Sequence, residues 1–220
     1  MSSFLDLKLD LRAPPSDAAI RVAVVVLAAG ASRRMGGAMK LLLDVGGAPM
    51  IRRTVENVLA FRPTETVVVT GHRGEEVEAA LAGLPVRLVR NDRHAEGQPT
   101  SVAAGVRALT APCDAVMVVL GDQPAISPAD LRALVGAYEA EPAMPILVPH
   151  HKGRRGNPVV FAARYIPEVL RGGINVGCRH LIEEHGAEVA RPEFDSDVYV
   201  LDCDTPDDYR VLLARLEGEP

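Results

Sequence analysis

The sequence predicts an α/β fold on a mostly parallel sheet. Residues 22–27 and 115–120 are continuous apolar runs rich in β-branched side chains, as expected for strands buried on both faces. Segments of helical spacing alternate with such runs along most of the chain, which implies βαβ units. A chain of 220 residues can bury a core of useful size without disulfide staples.

Residues 4–12 read FLDLKLDLR, with Leu5, Leu7, Leu9 and Leu11 alternating with charged residues. Period two gives a half-buried strand. Pro14 and Pro15 end it. Residues 1–20 are therefore expected to form an N-terminal extension that adds a strand to a sheet edge or to a second subunit, and residues 21–220 a single domain. A glycine-rich loop follows the strand at 22–27. Residues 49–61 then place Met50, Val55, Val58 and Leu59 at helical spacing, with Pro49 near the first turn. Strands are predicted at 66–70 and 86–89, with a helix at 75–81 between them. A helix at 101–109 leads to the strand at 115–120. Ser127 as N-cap and Asp130 in the first turn open a helix over 128–140. Regularity weakens after Glu141. Shorter strands are predicted at 146–149, 158–161 and 198–202, and helices at 178–184 and 206–216.

The chain carries 24 basic and 29 acidic residues, a net charge of −5. That argues against a nucleic-acid partner or an acidic membrane surface, though not against a small anionic ligand held by a few local cations. No apolar run approaches the roughly 20 residues of a membrane span, and no basic segment precedes an apolar one at the start. A cytoplasmic protein is expected. Trp is absent and aromatics are 4%, which leaves little to stack single-stranded bases on. Cys113, Cys178 and Cys203 lie far apart with no CxxC pair, and reduced thiols are expected.

Residues 27–40 read LAAGASRRMGGAMK and leave the C-terminal end of the first strand. Ligands bind there in open α/β sheets. Glycines let backbone amides approach a ligand, and Arg33, Arg34 and Lys40 supply positive charge, so the loop is suited to cradle a triphosphate. Neither GxxxxGK[ST] nor GxGxxG is present, which sets aside a Walker A site and a dinucleotide fingerprint.

The pattern LAAGxSxRMGxxxK resembles the signature loop of the molybdenum cofactor nucleotidyltransferases, and more broadly of nucleotidyltransferases with a glycosyltransferase-A-like fold. Gly30, Ser32, Arg34, Met35, Gly36 and Lys40 agree, and the resemblance runs from about residue 22 to residue 216. It implies a Rossmann-like three-layer α/β/α sandwich with a mostly parallel, mixed sheet, of the nucleotide-diphospho-sugar transferase type. It also implies that the loop at Leu27, Ala28, Ala29, Gly30 and Ser32 contacts base and phosphates, while Arg34 and Lys40 neutralise the triphosphate.

Other segments carry parts of the same resemblance. GQPTSVAAG at 97–105 places Gln98 and Ser101 at a helix start. It resembles the family's GxxxS segment, which lies against the nucleotide; helix capping alone is the other reading. GDQP at 121–124 follows the apolar strand directly. A carboxylate there is costly unless a cation or hydrogen bonds satisfy it. It resembles the family's GDxP motif, which implies nucleotide contact at Gly121 and Mg²⁺ on Asp122, the ion keeping substrate phosphates and waters as its other ligands. RGNPVVF at 155–161 resembles the acceptor-side segment, so Arg155 and Asn157 are expected against the pterin phosphate or ring. A strand entry shaped by Gly156 and Pro158 is the alternative. GGINVGCR at 172–179 departs from the GDxGxR of the cytidylyl subgroup: Gly177 and Arg179 match, with Arg179 on the acceptor side, but Gly173 or Asn175 replaces an acidic position. In LDCDTPDDY at 201–209, Thr205 or Asp204 can cap the last helix. The resemblance implies that one carboxylate also completes the metal site, Asp204 ahead of Asp202.

Taken together, the resemblance implies Mg²⁺-dependent transfer of CMP from CTP to the phosphate of molybdopterin, the molybdenum cofactor. Pyrophosphate would leave, with Lys40, Arg34 and Asp122 as catalytic residues and an apo-molybdoenzyme as a later partner. Ala29 points to CTP over GTP, because guanylyl relatives read LAGG at this stretch and a Cβ removes room for a purine. Three other readings stand: a guanylyltransferase on the same cofactor, a transferase of this fold acting on a sugar or methylerythritol phosphate, and a non-catalytic cofactor-delivery chaperone.

Overall fold

The computed structural model describes residues 20–32, 35, 39–171 and 178–217. The strand expected at 4–12 lies outside them, as do Arg33, Arg34, Gly36, Gly173, Asn175 and Gly177. The centre of the fold is β1 (Val22–Ala28), every residue of which is buried. Val24, Val26 and Ala28 face one half of the core, and Ala23, Val25 and Leu27 the other. This two-sided burial is why the run is apolar without alternation.

The sheet has seven strands in the order β3-β2-β1-β4-β8-β5-β9. The strands β1, β2 (Glu65–Thr70), β3 (Arg87–Arg90) and β4 (Ala115–Leu120) are parallel. Strand β8 (Val159–Ala162) runs antiparallel to β4 and to β5 (Ile146–Leu147), and β9 (Val189–Ala190) pairs parallel with β5. A separate hairpin joins β6 (His150–His151) to β7 (Arg154–Arg155). Helices α1 (Met50–Phe61), α2 (Gly74–Ala80) and α4 (Pro128–Ala140) cover one face of the sheet. The other face carries α3 (Gln98–Arg107), α5 (Ile166–Leu170) and α6 (Arg179–Glu184). The last helix, α7 (Pro206–Glu217), packs Leu212 into a smaller cluster with Val45, Met50 and Cys203. The fold is thus the three-layer sandwich with a mixed sheet.

The strand expected at 198–202 is instead a 3-10 turn, Asp197–Val200. Val198, Tyr199 and Val200 are all buried, at 7%, 1% and 4% exposure, whereas a half-buried strand would alternate. The Tyr199 hydroxyl donates to the Asp130 carbonyl at 2.9 Å, and the Tyr199 carbonyl accepts from the Asn157 N–H at 2.8 Å. Helix α3 begins at Gln98, three residues before the predicted start, with Pro99 in its first turn.

The chain leaves β1 through the glycine-rich segment toward α1 and leaves β4 through the GDQP turn toward α4. Both segments therefore lie at the C-terminal ends of adjacent parallel strands, the crevice where open α/β sheets bind ligands.

Candidate active site

Gly121 is the first residue past β4, and its N–H donates to the Leu27 carbonyl at 2.9 Å. A Cβ at Gly121 would meet that same oxygen at 2.9 Å and Ile51 Cδ1 at 2.8 Å, so only glycine lets the two strand ends come this close. The buried Thr54 hydroxyl on α1 donates to the Gly121 carbonyl at 3.1 Å. Asn57 Nδ2 donates to the carbonyls of Pro124 and Ile126 at 3.1 and 3.0 Å. Helix α1 thereby holds the GDQP turn from behind and keeps Asp122 in the crevice.

Neither helix downstream takes Asp122 or Asp204 as its cap. The Ser127 hydroxyl accepts from the Asp130 N–H at 3.2 Å while Asp130 accepts from the Ser127 N–H at 2.9 Å, a reciprocal capping box. At α7, Thr205 Oγ1 accepts from the Asp208 N–H at 3.2 Å, and Asp208 accepts from the Thr205 N–H at 2.8 Å. Thr205 caps α7, and the Asp204 carboxylate turns elsewhere.

It turns to Lys40. The ammonium of Lys40 pairs with Asp122 and, at 2.9 Å, with Asp204 Oδ1. Little water reaches the group: the side chains of Lys40 and Asp122 are 15% exposed and that of Asp204 27%. Burial pulls the Lys40 pKa down, but the two carboxylates outweigh it and hold the group above the ordinary lysine range. Desolvation, then the charges of Asp122 and Asp204, raise the Asp202 carboxyl above the usual carboxylate range. Asp122 and Asp204 thus converge on one cation, the Lys40 ammonium, with the Asp202 carboxyl close enough to feel both their charges.

A cavity of about 230 Å³ opens in front of this centre. Lys40 and Asp122 line one part, and Leu27, Ala29, Gly30, Gln98 and Ser101 line the rest, with Leu41, His94 and Leu120. The structure thus gathers seven of the fifteen expected site residues around one space, with Asp204 joined through Lys40. Ala28 and Gly121 do not line it; Ala28 is fully buried in the core, and Gly121 acts through close packing. Ser32 has a left-handed φ of 48°, and its hydroxyl accepts from the Lys40 N–H at 3.2 Å, tying the loop's start to its end. Arg155, on β7, and Asn157, just before β8, stand apart from the cavity lining. A Cβ at Gly156 would lie 2.5 Å from the Tyr199 carbonyl oxygen, so this glycine shapes the strand entry. Arg179 opens α6.

Sequence reasoning missed His94, Asn91 and Gln123. Asn91, 5% exposed, organises the turn between β3 and α3. Its side chain donates to Thr100 Oγ1 at 2.8 Å and Ser101 Oγ at 2.9 Å, and accepts from the Arg93 N–H at 3.0 Å. An Asn directly after an edge strand and ten residues before Ser101 was the available signal. Gln123 is 2% exposed with neither side-chain amide atom paired among the described residues, a cost of about 1–3 kcal/mol.

A glycine-rich segment after β1 and a lysine held by paired carboxylates at the strand ends are what a nucleotidyltransferase needs, and comparison with known proteins places the chain in that class. The chain belongs to the family described as MobA-like NTP transferase domain, which matches residues 24–189. A nucleotidyl transferase from Methanothermobacter is 31% identical, with a TM-score of 0.77 over 91% of this chain and 99% of that one. Rv0371c of Mycobacterium tuberculosis, solved as a complex with manganese, is 27% identical with a TM-score of 0.71 over 88% of this chain and 98% of that one. The molybdenum cofactor cytidylyltransferase of Escherichia coli is 27% identical over 201 residues, covering 87% of this chain and 95% of its own. Bifunctional GlmU proteins also match; that of Alcanivorax borkumensis is 36% identical over 119 residues, 54% of this chain and 26% of the relative. The chain thus spans about a quarter of that relative's length.

Proposed function

We propose that this nucleotidyltransferase moves CMP from CTP to the phosphate of molybdopterin and releases pyrophosphate. The observation that carries the reading is Lys40, in the cavity lining, held between Asp122 and Asp204. Similarity to the Escherichia coli cytidylyltransferase over nearly the full length of both chains supports the acceptor and the nucleotide. Ala29 in the cavity wall supports CTP over GTP.

The donor set fits Mg²⁺, with Asp122 and Asp204 as the residues that would hold it. Bound there, the ion would supply charge neutralisation to phosphate oxygens. The reaction itself asks little proton chemistry of the protein. An acceptor phosphate oxygen, already anionic, forms a bond to the α-phosphorus. The bond from that phosphorus to the bridging oxygen breaks, and pyrophosphate leaves with the electron pair. What the chain supplies is position and field. Lys40, kept protonated by its two carboxylates, offsets negative charge on the leaving oxygens. Arg34 adds a second cation from the loop. Backbone at Leu27, Ala29 and Gly30, with Ser101 and Gln98, seats the nucleotide. Arg155, Asn157 and Arg179 receive the acceptor.

The test is pyrophosphate release with CTP, GTP, ATP and UTP, each with purified molybdenum cofactor, a sugar phosphate or methylerythritol phosphate. Release only with CTP and the cofactor is the expected result. Release with another acceptor, or nucleotide binding without turnover, contradicts it.

A further inference from the structure

The cavity's lining holds two charged side chains of opposite sign, Lys40 and Asp122, while Leu27, Ala29, Gly30, Gln98 and Ser101 carry no charge. A nucleotide's charge lies at its phosphates, so the triphosphate belongs beside Lys40 and the base against the uncharged residues. His94 contributes the one planar ring among the described lining residues.

The backbone end of that side chain is closely packed. A Cβ added to Gly71 would lie 2.7 Å from the Ala29 Cβ and 2.8 Å from the His94 Cβ. The backbone at Gly71 therefore fills the space between Ala29 and His94, and the three form one continuous wall. The backbone beneath His94 is fixed as well. Its N–H donates to the Asn91 carbonyl at 3.2 Å, the Asn91 N–H donates to the Thr70 carbonyl at 2.8 Å, and Arg93 pairs with Glu96 at 2.7 Å across the turn. On the far side the His72 ring stands 6.2 Å away, centroid to centroid.

We propose that His94 is a specificity-determining residue, a steric gate that bounds the base end of the cavity and excludes purines. The proposal rests on the nucleotide reading above and extends it beyond Ala29. A methyl group alone discriminates by only about 1–3 kcal/mol, so a ring in the same wall adds the larger obstruction.

Equilibrium binding of CTP and of GTP, each with Mg²⁺, tests this in the full chain and in His94→Ala and His94→Phe. The wild type should bind CTP more tightly. His94→Ala should narrow the CTP-to-GTP affinity ratio at least tenfold, chiefly by improving GTP. His94→Phe, which keeps the bulk of the ring, should leave the ratio near the wild-type value. Equal weakening of both nucleotides in His94→Ala, with the ratio unchanged, overturns the gate and leaves the nucleotide reading intact. A wild-type preference for GTP also overturns it, because a size gate cannot favour the larger base. Binding of neither nucleotide by the wild type overturns both.

Discussion

Lys40, Asp122 and Asp204 come from three distant parts of the chain, and two of them were legible for a local reason. Asp122 ends an apolar strand, where a carboxylate needs a cation. Lys40 closes a loop rich in glycine. Asp204 was legible only through the resemblance, since by spacing it could equally have capped the last helix. The groups that hold them were not legible. Thr54 and Asn57 look like ordinary helix residues, and their bonds to the GDQP turn cross 67 to 69 positions of sequence. Asn91 is likewise invisible until Thr100 and Ser101 fold back over it. Asp122→Asn should cost at least ~100-fold in turnover, the scale of removing one preorganised electrostatic group. Asp204 still pairs with Lys40, so the melting temperature should change little. Near-normal turnover in limiting Mg²⁺ contradicts the assignment. For Lys40→Ala, kcat should fall more than nucleotide affinity, because the cation opposes charge that develops in the transition state. A change confined to KM would mark Lys40 as a clamp.

At the scale of elements, long strands and helices announce themselves and short ones do not. The runs of β1 and β4 and the amphipathic spacing of α1 are long enough to carry a period. Two-residue strands are not: β5 falls within the predicted 146–149, but β6, β7 and β9 are defined only by their pairing, β6 with β7 and β9 with β5. The turn at Asp197–Val200 misled because three consecutive buried apolar side chains resemble a strand. Packing of α3 on the sheet makes a sharp prediction. A Cβ at Gly105 would lie 2.3 Å from Val25 Cγ1 and 2.8 Å from Val69 Cγ2. Gly105→Ala should lower stability by about 1–3 kcal/mol despite alanine's better helix propensity, measured by denaturant unfolding. A stabilised variant would mean that α3 sits less tightly.

A second element-level prediction concerns the tie between α5 and the end of α6. His185 follows α6, with Nε2 3.1 Å from Glu168 and Nδ1 3.1 Å from Glu188. Partial burial lowers its pKa, but the bonds to Glu188 and Glu168 prevail and raise it above the ordinary 6.5. A raised folded pKa gives stability that is complete below about pH 6.5 and is lost as pH rises through the folded value. The melting temperature of the wild type should therefore exceed that of His185→Gln most at about pH 5.5, and the gap should shrink by about pH 8.5. A gap that widens with pH contradicts this pairing. Its place matters, because α5 and α6 flank residues 172–177, which precede the expected acceptor residue Arg179.

For the whole molecule, the mostly parallel sheet followed from the alternation of strands and helices, and the strand order came from the structure. The antiparallel β8 required the structure, since direction leaves no mark on composition. Among the described residues no helix is long and apolar enough to cross a membrane. Cys113, Cys178 and Cys203 are buried and unpaired with one another, and burial pushes their thiols up to about 11, 12 and 11. Such thiols are poor nucleophiles at neutral pH and are not expected to take part. Deletion of residues 1–16 should leave turnover unchanged, because every residue of the cavity lies beyond the extension; a loss of kcat would place part of the site there.

The central claim is chemical: one CMP moves to the cofactor's phosphate for each pyrophosphate released. Mass spectrometry of the products from CTP, Mg²⁺ and purified molybdenum cofactor tests it directly, with Asp122→Asn as the control. The predicted result is a cofactor–CMP adduct in equal amount to pyrophosphate, absent in the variant. Release of inorganic phosphate, an unmodified cofactor, or an adduct that forms equally well with Asp122→Asn would contradict the account.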